Sequence, residues 1–184
     1  MTENTILTPD TIADLAQRVV EALILQGKTL SCAESCTGGL LAAVLTDVAG
    51  CSAVFPGSFV TYSDEIKHRV LGVRRKSLKL HSAVSPQVAA EMAVGARERL
   101  GVDFALSLTG YAGPDGGTEE DPVGTVYVGI STLERTRVRR YSAPLGADRA
   151  AVRAGAVLCA LQMLTEAIKS EESRLQGSEA DSEK

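Results

Sequence analysis

Seven consecutive residues, Ala33 to Gly39, bring a carboxylate, two hydroxyls, a thiol and two glycines into one short segment. The apolar stretch before it, residues 29–33, is typical of a buried strand, and the stretch after it, residues 40–45, is typical of a helix. Glycines allow a ligand to approach the backbone closely, and the free N–H groups at the start of a helix attract anions. The segment is therefore a candidate ligand site at a strand-to-helix junction.

Two further segments, residues 50–67 and 109–118, also place polar side chains beside glycines. In open α/β sheets such loops meet at the carboxyl ends of the strands, where ligands bind. Neither glycine-rich segment fits a known phosphate-binding pattern, because the Lys-Ser/Thr pair of a P-loop is missing and no G-x-G-x-x-G follows a predicted strand. The alternative interpretation is that these glycines simply form turns.

Three residues have the chemistry of a nucleophile, namely Ser35, Cys36 and Ser52. A triad with a histidine base would need His68 or His81. His68 is predicted on the solvent side of a helix, and His81 is predicted in a loop. Cys36 lies near a predicted helix start, a position that lowers the pKa of a thiol, but a cysteine without a nearby histidine more often serves packing.

Lys67 is the other candidate base. A lysine can deprotonate a serine only if burial or a neighbouring cation lowers its pKa substantially. The helix predicted from Ser63 places Lys67 one turn after Ser63 and Asp64, where a solvated surface lysine is the usual interpretation. Residue types and spacing alone leave the choice of nucleophile and base open.

The elements that must position these residues follow from periodicity and capping. Helices are predicted to begin near Pro9, Thr37, Ser63, Ser85 and Asp148. Strands are predicted at 29–33, 58–62, 104–108, 123–131 and 137–141. The order α-β-α-β-α-α-β-β-β-α predicts a sheet covered by helices on both faces, with one antiparallel piece near 123–141.

Composition excludes several classes of protein. The net charge is −4, aromatic residues make up 4% and tryptophan is absent, so no nucleic-acid partner is predicted. No apolar run reaches membrane-spanning length and the first residues lack a signal peptide, so no membrane association is predicted. The four cysteines form no C-x-x-C pair, which predicts reduced thiols and no metal site. The length favours one domain, 1–168, followed by a disordered acidic tail, 169–184.

Five motifs in order carry a family resemblance that runs from about residue 8 to residue 165. They are A-E-S-C-T-G-G (33–39), V-T-Y-S-D-E-I-K (60–67), H-S-A-V-S (81–85), T-G-Y-A-G-P-D-G-G-T (109–118) and P-V-G-T-V (122–126). Together they resemble the CinA C-terminal domain family. The fold that this resemblance implies is α/β, a three-layer α/β/α sandwich with a mixed, mostly parallel sheet.

The resemblance implies an enzyme of pyridine nucleotide salvage that converts nicotinamide mononucleotide and water into nicotinate mononucleotide and ammonia. It assigns the catalytic serine to Ser52 and the partner lysine to Lys67, fifteen residues later. Ser52 would attack the carboxamide carbon while Lys67 takes its proton and passes it to the departing ammonia. Tyr62 would relay that proton or orient the lysine, and Arg149 or backbone N–H groups would hold the oxyanion or the phosphate.

The same resemblance implies that the glycine-containing segments form the walls of the nucleotide pocket. The implied substrate contacts are Glu34, Ser35, Thr37, Gly38, Thr109, Gly110 and Gly113. Cys51 and Tyr111 depart from the residues common in the family, and Tyr111 would alter the pocket wall. The resemblance is to the stand-alone deamidase form, so the separate N-terminal domain of longer members is not expected.

Further expectations concern partners and alternatives. No cofactor and no metal are expected, the protein is expected in the cytoplasm, and a homodimer is expected from the resemblance. One alternative function is a nucleotide-binding module without turnover, in regulation or competence-related processes. Another is a different amidase or esterase that uses the same dyad.

Overall fold

The computed structural model describes residues 9–182 of the chain, with side chains for 12–174. The elements in order are α1 (Pro9–Gln26), β1 (Leu30–Glu34), α2 (Leu40–Thr46), a 3-10 turn (Cys51–Ala53), β2 (Gly57–Val60), α3 (Asp64–Leu71), α4 (Arg75–His81), α5 (Pro86–Leu100), β3 (Phe104–Gly110), β4 (Thr125–Ser131), β5 (Thr136–Ser142) and α6 (Arg149–Ser182). The helix and strand alternation predicted from the sequence is therefore present.

Local sequence signals set the bounds of the helices that flank the candidate site. The Ser63 hydroxyl accepts a hydrogen bond from the Ile66 N–H and caps α3, and the Ser85 hydroxyl does the same for α5 with Val88. Gly72 closes α3 in the left-handed conformation that glycine adopts without strain. The first turn of α3 is thus fixed directly after β2.

The five strands form one sheet in the order β2-β1-β3-β4-β5. Strands β2, β1 and β3 are parallel, β4 is antiparallel to β3, and β5 is antiparallel to β4. Only β4 runs against the others among the described strands, so the prediction of a mixed, mostly parallel sheet is confirmed. The carboxyl ends of β1, β2 and β3 consequently meet at one edge of the sheet.

Helices cover both faces of this sheet, which confirms the predicted three-layer arrangement. One core cluster joins α1, α2 and α6 to one face and contains Leu23, Leu41, Leu106 and Leu161. The other joins α3 and α5 to the opposite face through Leu71, Met92 and Ala105. Strands β1 and β3 are buried on both faces, as the continuous apolar composition of parallel central strands requires.

Two predictions about secondary structure were wrong. The segment around His81, predicted as a loop, is the end of α4, a helix whose N-cap residue Arg74 gives no side-chain capping bond and hence no sequence signal. The stretch 169–182, predicted as disordered, continues α6. Its described side chains also contact the folded body, since Gln26 donates to Glu172 at 2.6 Å. The first eight residues of the predicted domain and residues 183–184 of the predicted tail lie outside the described part.

Helix α6 has the length and apolar composition of a membrane-crossing segment between Arg149 and Arg174. It is the single helix of the described residues that passes this test, and 67% of its most apolar stretch is buried inside the protein. Its apolar character is therefore accounted for by its position against the sheet.

Candidate active site

Three of the sequence segments meet at the carboxyl edge of the parallel strands. The Ser35 N–H donates to the Leu108 carbonyl at 2.9 Å, which places Ser35 directly at the end of β1 beside β3. On the other side, the Thr61 N–H donates to the Glu34 carbonyl at 2.8 Å, so β2 ends at the same level. This edge is where ligands bind in open α/β sheets.

Lys67 is buried at this edge and contacts Ser35. It lies one turn into α3 and is 1% exposed. Its ammonium nitrogen Nζ lies 3.0 Å from the Ser35 hydroxyl, 3.0 Å from the Thr61 carbonyl oxygen and 3.2 Å from the Tyr62 carbonyl oxygen. Three partners fix the position of the nitrogen.

Burial lowers the pKa of Lys67 because the charged form loses its hydration, while the Asp64 carboxylate opposes this shift. In the neutral form a lysine nitrogen has two donors and one acceptor. The two carbonyl oxygens of Thr61 and Tyr62 can only accept, so the Ser35 hydroxyl is the one of the three partners that can donate to the amine. The geometry therefore orients the Ser35 O–H towards the lysine.

Ser52 lies at the opposite end of these strands. Val54, two residues after Ser52, accepts a hydrogen bond from the Leu30 N–H at the start of β1, whereas Ser35 follows the end of β1. The five-residue separation along the strand spans roughly 16 Å. All three hydrogen bonds of the Lys67 nitrogen go elsewhere, so the structure contradicts the predicted Ser52–Lys67 pair.

Glu34 has a role different from the predicted substrate contact. Its side chain is fully buried, and its two oxygens accept hydrogen bonds from the backbone N–H groups of the first turn of α2. The donors are Gly39 at 3.0 Å, Leu41 at 3.1 Å and Ala42 at 2.9 Å. The carboxylate therefore joins the end of β1 to the start of α2 and holds the loop that carries Ser35.

The loop between Glu34 and α2 keeps two backbone N–H groups free. Within the described residues, neither the Cys36 nor the Thr37 N–H donates a hydrogen bond to another residue, whereas the Gly38 N–H donates to the Ser35 carbonyl at 3.0 Å. Free N–H groups directly after a nucleophilic serine have the arrangement of an oxyanion hole. The Cys36 thiol is a poor rival nucleophile, since burial raises its pKa to about 11.

Arg149 and Tyr62 contact each other beside the glycine-rich loop. The Arg149 guanidinium donates to the Gly113 carbonyl at 2.6 Å and to the Tyr62 hydroxyl at 3.2 Å. The Tyr62 side chain is 62% exposed, and it is the Tyr62 backbone carbonyl that contacts Lys67. Arg149 thus links the start of α6 to the residue that follows Thr61 after β2 and to the glycine-rich loop.

The glycine-rich loop is held by contacts of its first residues. The Thr109 hydroxyl donates to the Ala83 carbonyl at 2.8 Å. A Cβ added at Gly110 would overlap the backbone of Thr125 and Val126, so glycine is needed for the close approach of β4. Thr109 and Gly110 therefore position the loop, and Gly113 presents its carbonyl to Arg149.

Arg153 is a site residue that the sequence reasoning missed. It lies on α6 four residues after Arg149, hence on the same face, and its guanidinium donates to the Thr37 carbonyl at 2.7 Å. The i, i+4 spacing of two arginines at the start of the last helix was the available signal. Among the described residues, no group of three or more His, Cys, Asp or Glu side chains is arranged as a metal site.

Comparison with known proteins agrees with the fold described above. The model of the CinA C-terminal domain family matches residues 12–168. The nicotinamide-nucleotide amidohydrolase PncC of Escherichia coli is 47% identical over 158 residues, which cover 86% of this chain and 95% of that protein. A putative competence-damage inducible protein of Caldanaerobacter subterraneus is 47% identical over 151 residues, but these cover only 36% of its length.

Solved structures share the fold. The crystal structure of a competence/damage inducible protein from Agrobacterium tumefaciens superposes with a TM-score of 0.84 and 39% identity, over 90% of this chain and 99% of that one. That of a CinA superfamily protein from Klebsiella pneumoniae superposes with a TM-score of 0.82 and 40% identity, over 86% and 98%.

Proposed function

Because this chain belongs to the CinA C-terminal domain family, we propose that it is a nicotinamide-nucleotide amidohydrolase. The reaction is hydrolysis of the carboxamide of nicotinamide mononucleotide to nicotinate mononucleotide and ammonia. The observation that carries the proposal is the 3.0 Å contact between the Ser35 hydroxyl and the buried Lys67 nitrogen. A serine paired with a desolvated lysine is an activated nucleophile for an amide.

The first half of the reaction forms an acyl-enzyme. Neutral Lys67 takes the proton of the Ser35 hydroxyl as the oxygen attacks the carboxamide carbon. The carbonyl oxygen becomes an oxyanion, which the N–H groups of Cys36 and Thr37 stabilise. Collapse of this intermediate breaks the C–N bond, and the Lys67 ammonium returns the proton to the nitrogen, so that ammonia leaves.

The second half regenerates the enzyme. A water molecule attacks the acyl carbon, and Lys67 again takes the proton. The C–O bond to Ser35 then breaks, the serine oxygen regains the proton from Lys67, and nicotinate mononucleotide is released. Both halves of the reaction use only water and groups of this chain, and Tyr62 and Arg149 orient the substrate.

A nucleotide-binding module without turnover is the alternative. A lysine with a lowered pKa in contact with a serine is a costly arrangement that nucleotide binding alone does not require. This favours the enzyme over the module. A cytoplasmic homodimer stays a prediction from the family resemblance, and analytical ultracentrifugation of the purified protein would test the dimer.

The test is ammonia release from nicotinamide mononucleotide by matched serine variants. Ser35→Ala is expected to abolish turnover, because no other hydroxyl lies against Lys67 among its hydrogen-bond partners. Ser52→Ala is the control, since Ser52 is exposed at the far end of the sheet, and it should retain wild-type turnover. Loss of activity in Ser52→Ala with activity kept in Ser35→Ala would overturn the assignment. Nucleotide binding by the wild type without ammonia would favour the module.

A further inference from the structure

Arg153 is fixed beside the loop that carries Ser35. Its Nη2 donates to the Thr37 carbonyl at 2.7 Å, and a Cβ added at Gly38 would lie 3.8 Å from the same nitrogen. The guanidinium therefore covers the 37–38 peptide, two residues beyond the proposed nucleophile. Ser35 and Thr37 are at most about 7 Å apart along the backbone. The Arg153 guanidinium, which contacts Thr37, therefore lies within the length of one mononucleotide from Ser35.

Two buried polar atoms next to this contact have no partner in the described part of the protein. One is the Thr37 hydroxyl, on a side chain that is fully buried, and the other is the Arg153 Nε. Buried polar groups are nearly always hydrogen-bonded, because an unmade bond forfeits their hydration. A hydroxyl and a guanidinium N–H that are both unpartnered form a set of donors for an anion.

Apart from the Cys36 and Thr37 N–H groups, which the proposed mechanism assigns to the oxyanion, several donors at this edge already have partners within the protein. The first turn of α2 gives three of its N–H groups to Glu34, so the helix start is not free to hold an anion. The Lys67 nitrogen has three partners within the protein, and Arg149 donates to Gly113 and Tyr62. Arg153 differs from Arg149 and Lys67 in that its Nε is buried and has no partner among the described residues.

We propose that Arg153, together with the Thr37 hydroxyl, binds the phosphate of the mononucleotide substrate and selects it over the unphosphorylated nucleoside. This rests on the proposed function, because it takes the substrate to be a pyridine mononucleotide with its carboxamide at Ser35. A guanidinium matches a phosphate with parallel N–H donors, and a buried hydroxyl adds a third. The phosphate is remote from the bond that breaks, so Arg153 acts on binding and not on the chemical step.

The experiment compares nicotinamide mononucleotide with nicotinamide riboside, which differs only by the phosphate. Dissociation constants are measured by calorimetry in a Ser35→Ala background, with and without Arg153→Gln. The variant is expected to weaken binding of the mononucleotide roughly 10- to 100-fold and to leave the riboside unchanged. Arg99→Gln is the control, since it removes the same charge from an exposed position near the end of α5, and it should alter neither constant.

Kinetics with intact Ser35 give a second readout. Arg153→Gln should raise KM for the mononucleotide with kcat nearly unchanged, and Arg153→Lys should restore part of the loss through its charge. If Arg153→Gln weakened binding of both compounds equally, Arg153 would only hold the 37–38 loop. If it weakened binding of neither compound, the phosphate would lie elsewhere. Both outcomes overturn the inference. A wild type that binds the mononucleotide through Arg153 but releases no ammonia would refute the proposed activity while supporting the phosphate site.

Discussion

Replacing Glu34 by glutamine separates two roles for this residue. The sequence predicted a substrate contact, whereas the structure shows a fully buried carboxylate that accepts three backbone N–H bonds from α2. Glutamine keeps the size of the side chain and one acceptor oxygen. Its amide group turns the second acceptor into a donor that faces an N–H.

The expected loss of stability follows from these contacts. One hydrogen bond to a charged group is lost, worth about 1.5–3 kcal/mol, and a buried N–H is left facing another donor, at about 1–3 kcal/mol. The two remaining bonds keep an oxygen acceptor but lose the charge. We therefore expect Glu34→Gln to lower the free energy of unfolding by about 3 kcal/mol, a loss that a domain with about 5–15 kcal/mol survives at room temperature.

The assay is urea unfolding of the variant beside the wild type. The control is Glu166→Gln, which removes a carboxylate paired with Arg139 at 2.8 Å on the exposed surface. An exposed pair contributes less than about 1 kcal/mol, so the control should unfold close to the wild type. Because the loop that carries Ser35 is anchored by Glu34, kcat of Glu34→Gln should also fall.

The opposite pattern of stability and kinetics would contradict the anchoring role of Glu34. If Glu34→Gln unfolds like the wild type while KM for the nucleotide rises and kcat is kept, Glu34 contacts the substrate and does not anchor α2. If Glu34→Gln and Glu166→Gln lowered the free energy of unfolding equally, the burial of Glu34 and its bonds to the start of α2 would not be the cause of the loss.

Three further predictions follow from the same contacts. The kcat/KM is expected to rise with pH through a single ionisation whose pKa is below the ordinary lysine value of 10.5. The reason is that Lys67 must be neutral to act as a base, and its burial lowers its pKa. A pH profile without this rise would exclude Lys67 as the base. Gly95→Ala should lower the free energy of unfolding by about 1–3 kcal/mol, since its Cβ would overlap the Leu71 carbonyl at the end of α3, and unchanged urea unfolding would contradict that packing. Tyr62→Phe should reduce kcat and change the free energy of unfolding by no more than about 0.5 kcal/mol, because the exposed Tyr62 hydroxyl contacts Arg149 and does not pack in the core. An unchanged kcat in this variant would exclude the Tyr62 hydroxyl from the mechanism.

Most of the fold was predictable because its signals are local. Caps such as Ser63 and Ser85, and the apolar runs of the central strands, each act within a few residues. Helix α4 was missed since its first residues are basic and provide no cap. The continuation of α6 past residue 168 was missed because its polar composition is also that of a disordered segment, while its contacts to Gln26 and Lys28 come from a distant part of the chain.

The candidate site was predictable only in part, and the partner of Lys67 marks the limit. The sequence by itself determined the family, the alternation of helices and strands and the polar segments that meet at one sheet edge. It did not determine which serine faces the lysine, because Ser52 and Ser35 lie near opposite ends of adjacent parallel strands and separation along the chain does not distinguish these ends. Only the tertiary structure decided that β1 and β2 end side by side, so that Ser35 meets Lys67 across 32 positions of sequence. The same packing turned Glu34 inward and brought Arg153 over the loop.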